Sequence, residues 1–143
     1  MPDVPRYSAV RVGDRLPRLT HPIRRYDLVR YAGASGDFNP IHWSESAAEG
    51  AGLPGLVAHG MLTFGVAMRL VNEWAGRPGR VSGCGARFTR PVVVPDGYDG
   101  TEVVVEGVVA EKLPGSRVRI DLTVRHGGEK VLARPRAVVA LDD

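Results

Sequence analysis

From Met61 to Ala75 the chain places Leu62, Phe64, Val66, Ala67, Leu70, Val71 and Trp74 on most sides of one helix, and a helix this apolar has to be buried. The sequence that follows has a different period. Val118, Ile120, Leu122 and Val124 alternate with Arg117, Arg119, Asp121, Thr123 and Arg125, the two-residue repeat of a half-buried strand. His126-Gly127-Gly128-Glu129 supplies a hairpin turn into a strand from Lys130 to Leu141, and Pro114-Gly115-Ser116 separates Arg117 from a strand over Thr101 to Lys112. Gly83 to Val94 reads as a further strand closed by Pro95-Asp96-Gly97, and Pro135 predicts an edge or a bulge in the last one. One buried helix followed by about four long antiparallel strands predicts an α+β architecture, a sheet wrapped around that helix.

The first half is more helical. Tyr26 to Ala34 carries Leu28, Val29, Tyr31 and Ala32 at helical spacings, and Ser44 is a natural N-cap for a short helix ending at Gly50. No repeat or linker divides the 143 residues, which predicts a single domain over 1–143. The opening Met1-Pro2-Asp3-Val4-Pro5-Arg6 lacks the basic start and apolar run of a signal peptide, and no stretch approaches a membrane span. These features predict a cytoplasmic protein without a membrane partner. Cys84 stands alone between two glycines and reads as a small core or strand residue. His21, His42, His59 and His126 show no zinc-type spacing, so neither a metal nor any other cofactor is predicted. Arg69, Arg77, Arg80, Arg87 and Arg90 concentrate positive charge, but no nucleic-acid motif or set of stacking aromatics accompanies them. Nucleic-acid binding is therefore not predicted. Contact with phosphate on a carrier such as coenzyme A or a phosphopantetheinyl protein suits arginine geometry better.

Both short helices flank Gly36-Asp37-Phe38-Asn39-Pro40-Ile41-His42. Asp37 and His42 are five residues apart, which separates them by about 140° on a helix and puts them on opposite faces of a strand. Only an irregular loop brings them together, and Gly36, Asn39 and Pro40 are residues that build one. A carboxylate and an imidazole converging on one volume can move protons at neutral pH. The second half of such a site is His59-Gly60 at the start of the buried helix, where free amides and the positive end of the macrodipole lie and Gly60 has no side chain to block approach. A thioester carbonyl against the Gly60 amide would have its developing enolate oxygen stabilised. Asp37 and His42 are thus the candidate catalytic residues and Gly60 the oxyanion donor. Asn39 and His59 are read as groups that shape and support the loop, and Phe64 and Met68 as core or acyl-tunnel lining. Nothing favours a nucleophilic mechanism: Cys84 lies in a strand-like context and no Gly-x-Ser-x-Gly elbow occurs.

Tyr31-Ala32-Gly33-Ala34-Ser35-Gly36-Asp37-Phe38-Asn39-Pro40-Ile41-His42 resembles the hydratase motif of the MaoC-like, (R)-specific enoyl hydratase family. Val10-Arg11-Val12-Gly13-Asp14 looks like that family's opening turn, Ala58-His59-Gly60-Met61-Leu62 like its central-helix start, and Arg87-Phe88-Thr89-Arg90-Pro91 like its following strand. Asp27-Leu28-Val29 and Trp43 look most like the catalytic B subunit of the mycobacterial-type (3R)-hydroxyacyl-carrier-protein dehydratase. The resemblance implies a hot-dog fold, a dimer, and Asp37, His42 and the Gly60 amide in the roles already derived. Met68 occupies a position where some members carry serine. The implied activity is a lyase reaction that interconverts (3R)-hydroxyacyl and trans-2-enoyl thioesters of coenzyme A or an acyl carrier protein. The implied assembly is a homodimer, or a heterodimer with a second hot-dog subunit. A non-catalytic acyl-binding or scaffolding subunit is the alternative, and a hot-dog thioesterase a third reading.

Overall fold

A computed structural model describes residues 3–143. Met1 and Pro2, part of the opening segment read above for a targeting signal, lie outside the described residues. In chain order the elements are β1 (Leu19–Ile23), α1 (Arg25–Ser35), α2 (Glu45–Gly50), α3 (Gly60–Ala75), β2 (Val81–Phe88), β3 (Thr101–Leu113), β4 (Arg117–His126), β5 (Glu129–Lys130) and β6 (Leu132–Ala140). The strands form one antiparallel sheet in the order β1-β3-β4-β6-β2, with β5 folded back onto β4. The α+β arrangement is the one the periodicities predict. Val103, Val105 and Val109 of β3, Val118, Ile120, Leu122 and Val124 of β4, and Ala137 and Val139 of β6 are buried in one cluster with Val66, Ala67, Leu70, Val71 and Ala75 of α3. Among the described residues, no helix is long and apolar enough to cross a membrane.

Several boundaries differ from those expected, each for a local reason. β1 carries no strong strand signal because Pro22 lies within it; Pro22 is tolerated there because β1 pairs only with β3 and forms the sheet's edge. β2 ends at Phe88 instead of continuing to Val94. Beyond it the Thr89 and Arg90 amides both donate to Val131 O, and Val93 makes only an isolated bridge to Val57. Pro135 marks a bulge and not an edge, since β6 lies between β4 and β2. The ladder jumps from Gly85↔Arg136 to Arg87↔Ala133, and Arg134 takes a left-handed φ of 50°. In α3 the apolar residues are less enclosed than expected: Thr63, Val66, Ala67, Leu70, Val71 and Ala75 are buried, whereas Met61, Gly65, Arg69 and Glu73 form an exposed stripe. Cys84 is on a strand, as expected, but its side chain is exposed.

The central arginines do not form a common patch. Arg69 pairs with Glu73 at 2.6 Å, Arg90 pairs with Glu129, and Arg80 is buried against Asp142. Most of the expected phosphate-binding charge is therefore already neutralised by carboxylates.

Gly100 leads into β3 beside the end of β1. Its φ is 58°, and an added Cβ would lie 2.3 Å from the Ile23 carbonyl oxygen, a backbone atom that cannot swing aside. Gly100→Ala is expected to lower unfolding stability by about 1–3 kcal/mol, read as a lower urea midpoint at unchanged slope.

Candidate active site

α1 ends where Gly36 adopts a left-handed φ of 75° and donates its amide to Ala32 O at 2.9 Å. That turn releases the chain into the loop. Ser35 Oγ donates to Tyr31 O at 2.7 Å and accepts from the Asp37 amide at 3.2 Å, and Asp37 Oδ1 accepts from the Asn39 amide at 3.2 Å. Asn39 Oδ1 then accepts from the Ile41 amide at 3.2 Å, capping a single 3-10 turn over Pro40–His42. Trp43 Nε1 closes the loop by donating to Phe38 O at 3.0 Å. Each bond is local, so the short-range chemistry of Ser, Asp, Asn and Pro builds the curl. Asn39 holds backbone through that bond, and its side chain stays outside the cavity lining.

The curl delivers His42 into the protein, where it is only 7% exposed. Its Nδ1 lies 2.6 Å from Val57 O. A carbonyl oxygen only accepts, so Nδ1 carries the proton and Nε2 is left as the basic nitrogen. Among the described residues Nε2 makes no hydrogen bond. His59 is 1% exposed and holds the N-cap position of α3; its Nε2 donates to Asp37 O at 3.1 Å, while its Nδ1 is buried without a partner among the described residues. The two imidazoles stack at 3.6 Å with an interplanar angle of 19°, and the Tyr31 ring leans on His59 at 4.7 Å. His59 thus ties the Asp37 backbone to the start of α3 and walls one face of His42.

Asp37, His42 and His59 each offer a ligand-type atom, all within 4.8 Å of one another. A cation would have to lie in the plane of each ring that binds it. Near-parallel rings stacked 3.6 Å apart do not present their lone pairs to one such point. The geometry suits proton exchange between an exposed carboxylate and a buried imidazole better than coordination.

These groups line a cavity of about 700 Å³, within the usual range for small-molecule sites. Asp37, His42, His59 and Gly60 are all on its wall. Gly60 is the first residue of α3, so its amide has no partner within the helix. Phe64 and Met68 are not on the wall. Lying one and two turns further along α3, they are partly buried against the core, so the tunnel-lining expectation does not hold for this cavity. Residues to which the sequence reading gave no role in the site take their place: Tyr31, Thr63, Phe88, Thr89 and Leu132. Phe88 is the most informative of them. A Cβ on Gly60 would lie 2.9 Å from its ring, so the glycine makes room for this aromatic wall. The available signal was an aromatic residue at the end of a strand, directly before Thr89-Arg90-Pro91.

Burial lowers the His59 pKa from its ordinary 6.5; the hydrogen bond to Asp37 opposes this and nearby His42 adds to it. His21 is lowered as well, first by burial and then by Arg69. The unfolded chain protonates such histidines more readily than the fold does, so their contribution is complete above about pH 6.5 and declines as pH falls below it. The thermal midpoint is expected to drop from about pH 7.5 to about pH 5.5, and His59→Gln to flatten part of that slope. An unchanged slope in the variant would show that His59 does not titrate against folding.

Residues 9–127 match the family described as MaoC like domain. A solved MaoC-like dehydratase superposes with a TM-score of 0.92 over 97% of this chain and 43% of its own length, at 35% identity. The unliganded R-hydratase PhaJ1 from Pseudomonas aeruginosa superposes with a TM-score of 0.82, covering 96% of this chain and 86% of its own at 31% identity. The 3-hydroxyacyl-thioester dehydratase X of Mycobacterium tuberculosis is 44% identical over 66 residues, which make up 46% of this chain. The match covers only 22% of that relative's length. Family match, superposition and the sheet wrapped on α3 agree: the chain belongs to the MaoC-like domain family and has its hot-dog fold.

Proposed function

We propose that the protein is a hydro-lyase that interconverts (3R)-hydroxyacyl and trans-2-enoyl thioesters, with residues 1–143 as one catalytic domain acting in the cytoplasm. The observation that carries this reading is the meeting of the Asp37 carboxylate, the free Nε2 of His42 and the amino end of α3 on one cavity. In dehydration the C2–H and C3–O bonds break and the C2=C3 bond forms. Asp37 and His42 between them take the C2 proton and return one to the departing hydroxyl, which leaves as water. No net proton is gained or lost, and no oxidant or reductant is needed. Charge passing onto the thioester oxygen is met by the Gly60 amide, whose loss would cost about 2.7 to 4 kcal/mol of barrier. His59 and Asn39 hold the loop that presents the pair. The names of the R-hydratase and the thioester dehydratase among the similar proteins support the same chemistry.

The working unit in this proposal is a homodimer; pairing with a second hot-dog chain is the alternative, and light scattering on the purified protein separates them. Crotonyl-CoA is expected to be hydrated, with Asp37→Asn and His42→Ala each reducing kcat by about 10²- to 10⁴-fold in folded protein. Full activity in both variants would remove the proposal. Thioester binding without turnover would favour a scaffolding subunit, and release of free thiol a thioesterase.

A further inference from the structure

At the β6 bulge the proposed reaction leaves a group of cations unused. β4 stays paired with β6 only from Arg117↔Ala140 to Asp121↔Arg136. Past that point Arg134 has its left-handed φ of 50°, Pro135 is buried, and the strands part. The gap is a recess of about 650 Å³, lined by Arg119, Lys130, Arg134 and Arg136 and by a single carboxylate, Asp121. Asp121 is already taken, because Arg119 bonds it at 3.0 Å and also pairs with Glu111. Lys130, Arg134 and Arg136 make no ion pair among the described residues, and all three are exposed. The recess therefore holds three uncompensated positive charges in a concave, small-molecule-sized space. Thr89 and Leu132 line both this recess and the catalytic cavity, so the two share a wall.

We infer that this recess binds the nucleotide phosphates of a coenzyme-A-type thioester whose acyl group occupies the Asp37–His42 cavity. The inference rests on the hydratase reading for the acyl end of that ligand. Its charge argument is separate. Three free cations, two of them guanidinium groups that can grip phosphate through paired N–H donors, match a ligand end with several phosphates. The phosphopantetheine arm of a carrier protein brings one phosphodiester, which would leave most of that charge unmatched. A carrier protein would also dock on an open face more readily than in a recess.

The test uses the full chain and a Lys130→Gln/Arg134→Asn/Arg136→Gln variant, asparagine being chosen because it tolerates a left-handed backbone. Three thioesters are compared: crotonyl-CoA, crotonyl-phosphopantetheine and crotonyl-pantetheine, which have several, one and no phosphate groups. For crotonyl-CoA, KM is expected to rise by about tenfold or more, the equivalent of losing one charge-assisted contact, with kcat within about twofold. Crotonyl-pantetheine kinetics should not change. Equal loss on all three substrates, or no change on crotonyl-CoA, would overturn the inference. A loss as large on crotonyl-phosphopantetheine as on crotonyl-CoA would reassign the recess to the arm shared with carrier proteins. Calorimetric titration with free coenzyme A needs no turnover: binding that the variant weakens, in a protein without hydratase activity, would sink the hydratase reading and leave the recess standing. Should the triple variant fail to fold, Lys130→Gln and Arg136→Gln are read singly by the same criteria.

Discussion

The bond between His42 Nδ1–H and Val57 O ties together two stretches of chain that have no regular element in common. One is the loop leaving α1; the other is the extended segment entering α3. Joining them turns His42 inward, settles which nitrogen is basic, and places the loop over the amino end of the helix. The stacking of His42 on His59 and the bond from His59 to the Asp37 backbone complete the link from the other side. Breaking the Val57 contact would leave a buried N–H without an acceptor, a loss of about 1–3 kcal/mol in addition to the orientation.

The sheet and helix provide the anvil for this arrangement. Alternating valines and isoleucine on β3 and β4 bury one face of the sheet on α3, so the helix start is held on a rigid body while the loop is held on the helix. Backbone partners continue the attachment on the far side: the Ala58 amide donates to Val92 O, and the Val94 amide donates to Leu56 O. A flexible loop thus obtains fixed geometry from neighbours that are themselves in the core. Precision of this kind is what proton transfer between a carboxylate and an imidazole requires.

What could be read from the sequence was whatever depends on near neighbours. Period-two alternation gave β4, turn chemistry gave the Gly127-Gly128 hairpin, and Ser44, Asn39 and Gly36 announced their caps and turns from residue type alone. Asp37, His42, His59 and Gly60 reach one cavity because loop chemistry and helix polarity are both short-range effects. What the sequence concealed depends on partners distant along the chain. β1 is a strand only because β3 lies beside it, and Phe88 lines the site only because the end of β2 passes over Gly60. Phe64 and Met68 have suitable chemistry for a tunnel, but packing against the core turns them from the cavity. Arginine charge was only partly legible: Glu73 lies one helical turn from Arg69, whereas Asp142 and Glu129 neutralise Arg80 and Arg90 from afar.

The close fit of Phe88 against Gly60 links the evolution of two positions on different secondary structures. A mutation that gave residue 60 a side chain would displace the aromatic ring before it touched any substrate, altering the floor of the chamber from the opposite wall. Residue 60 can thus gain a side chain only when the ring at residue 88 shifts or shrinks. Among descendants of a common ancestor, the two sites should drift as a pair.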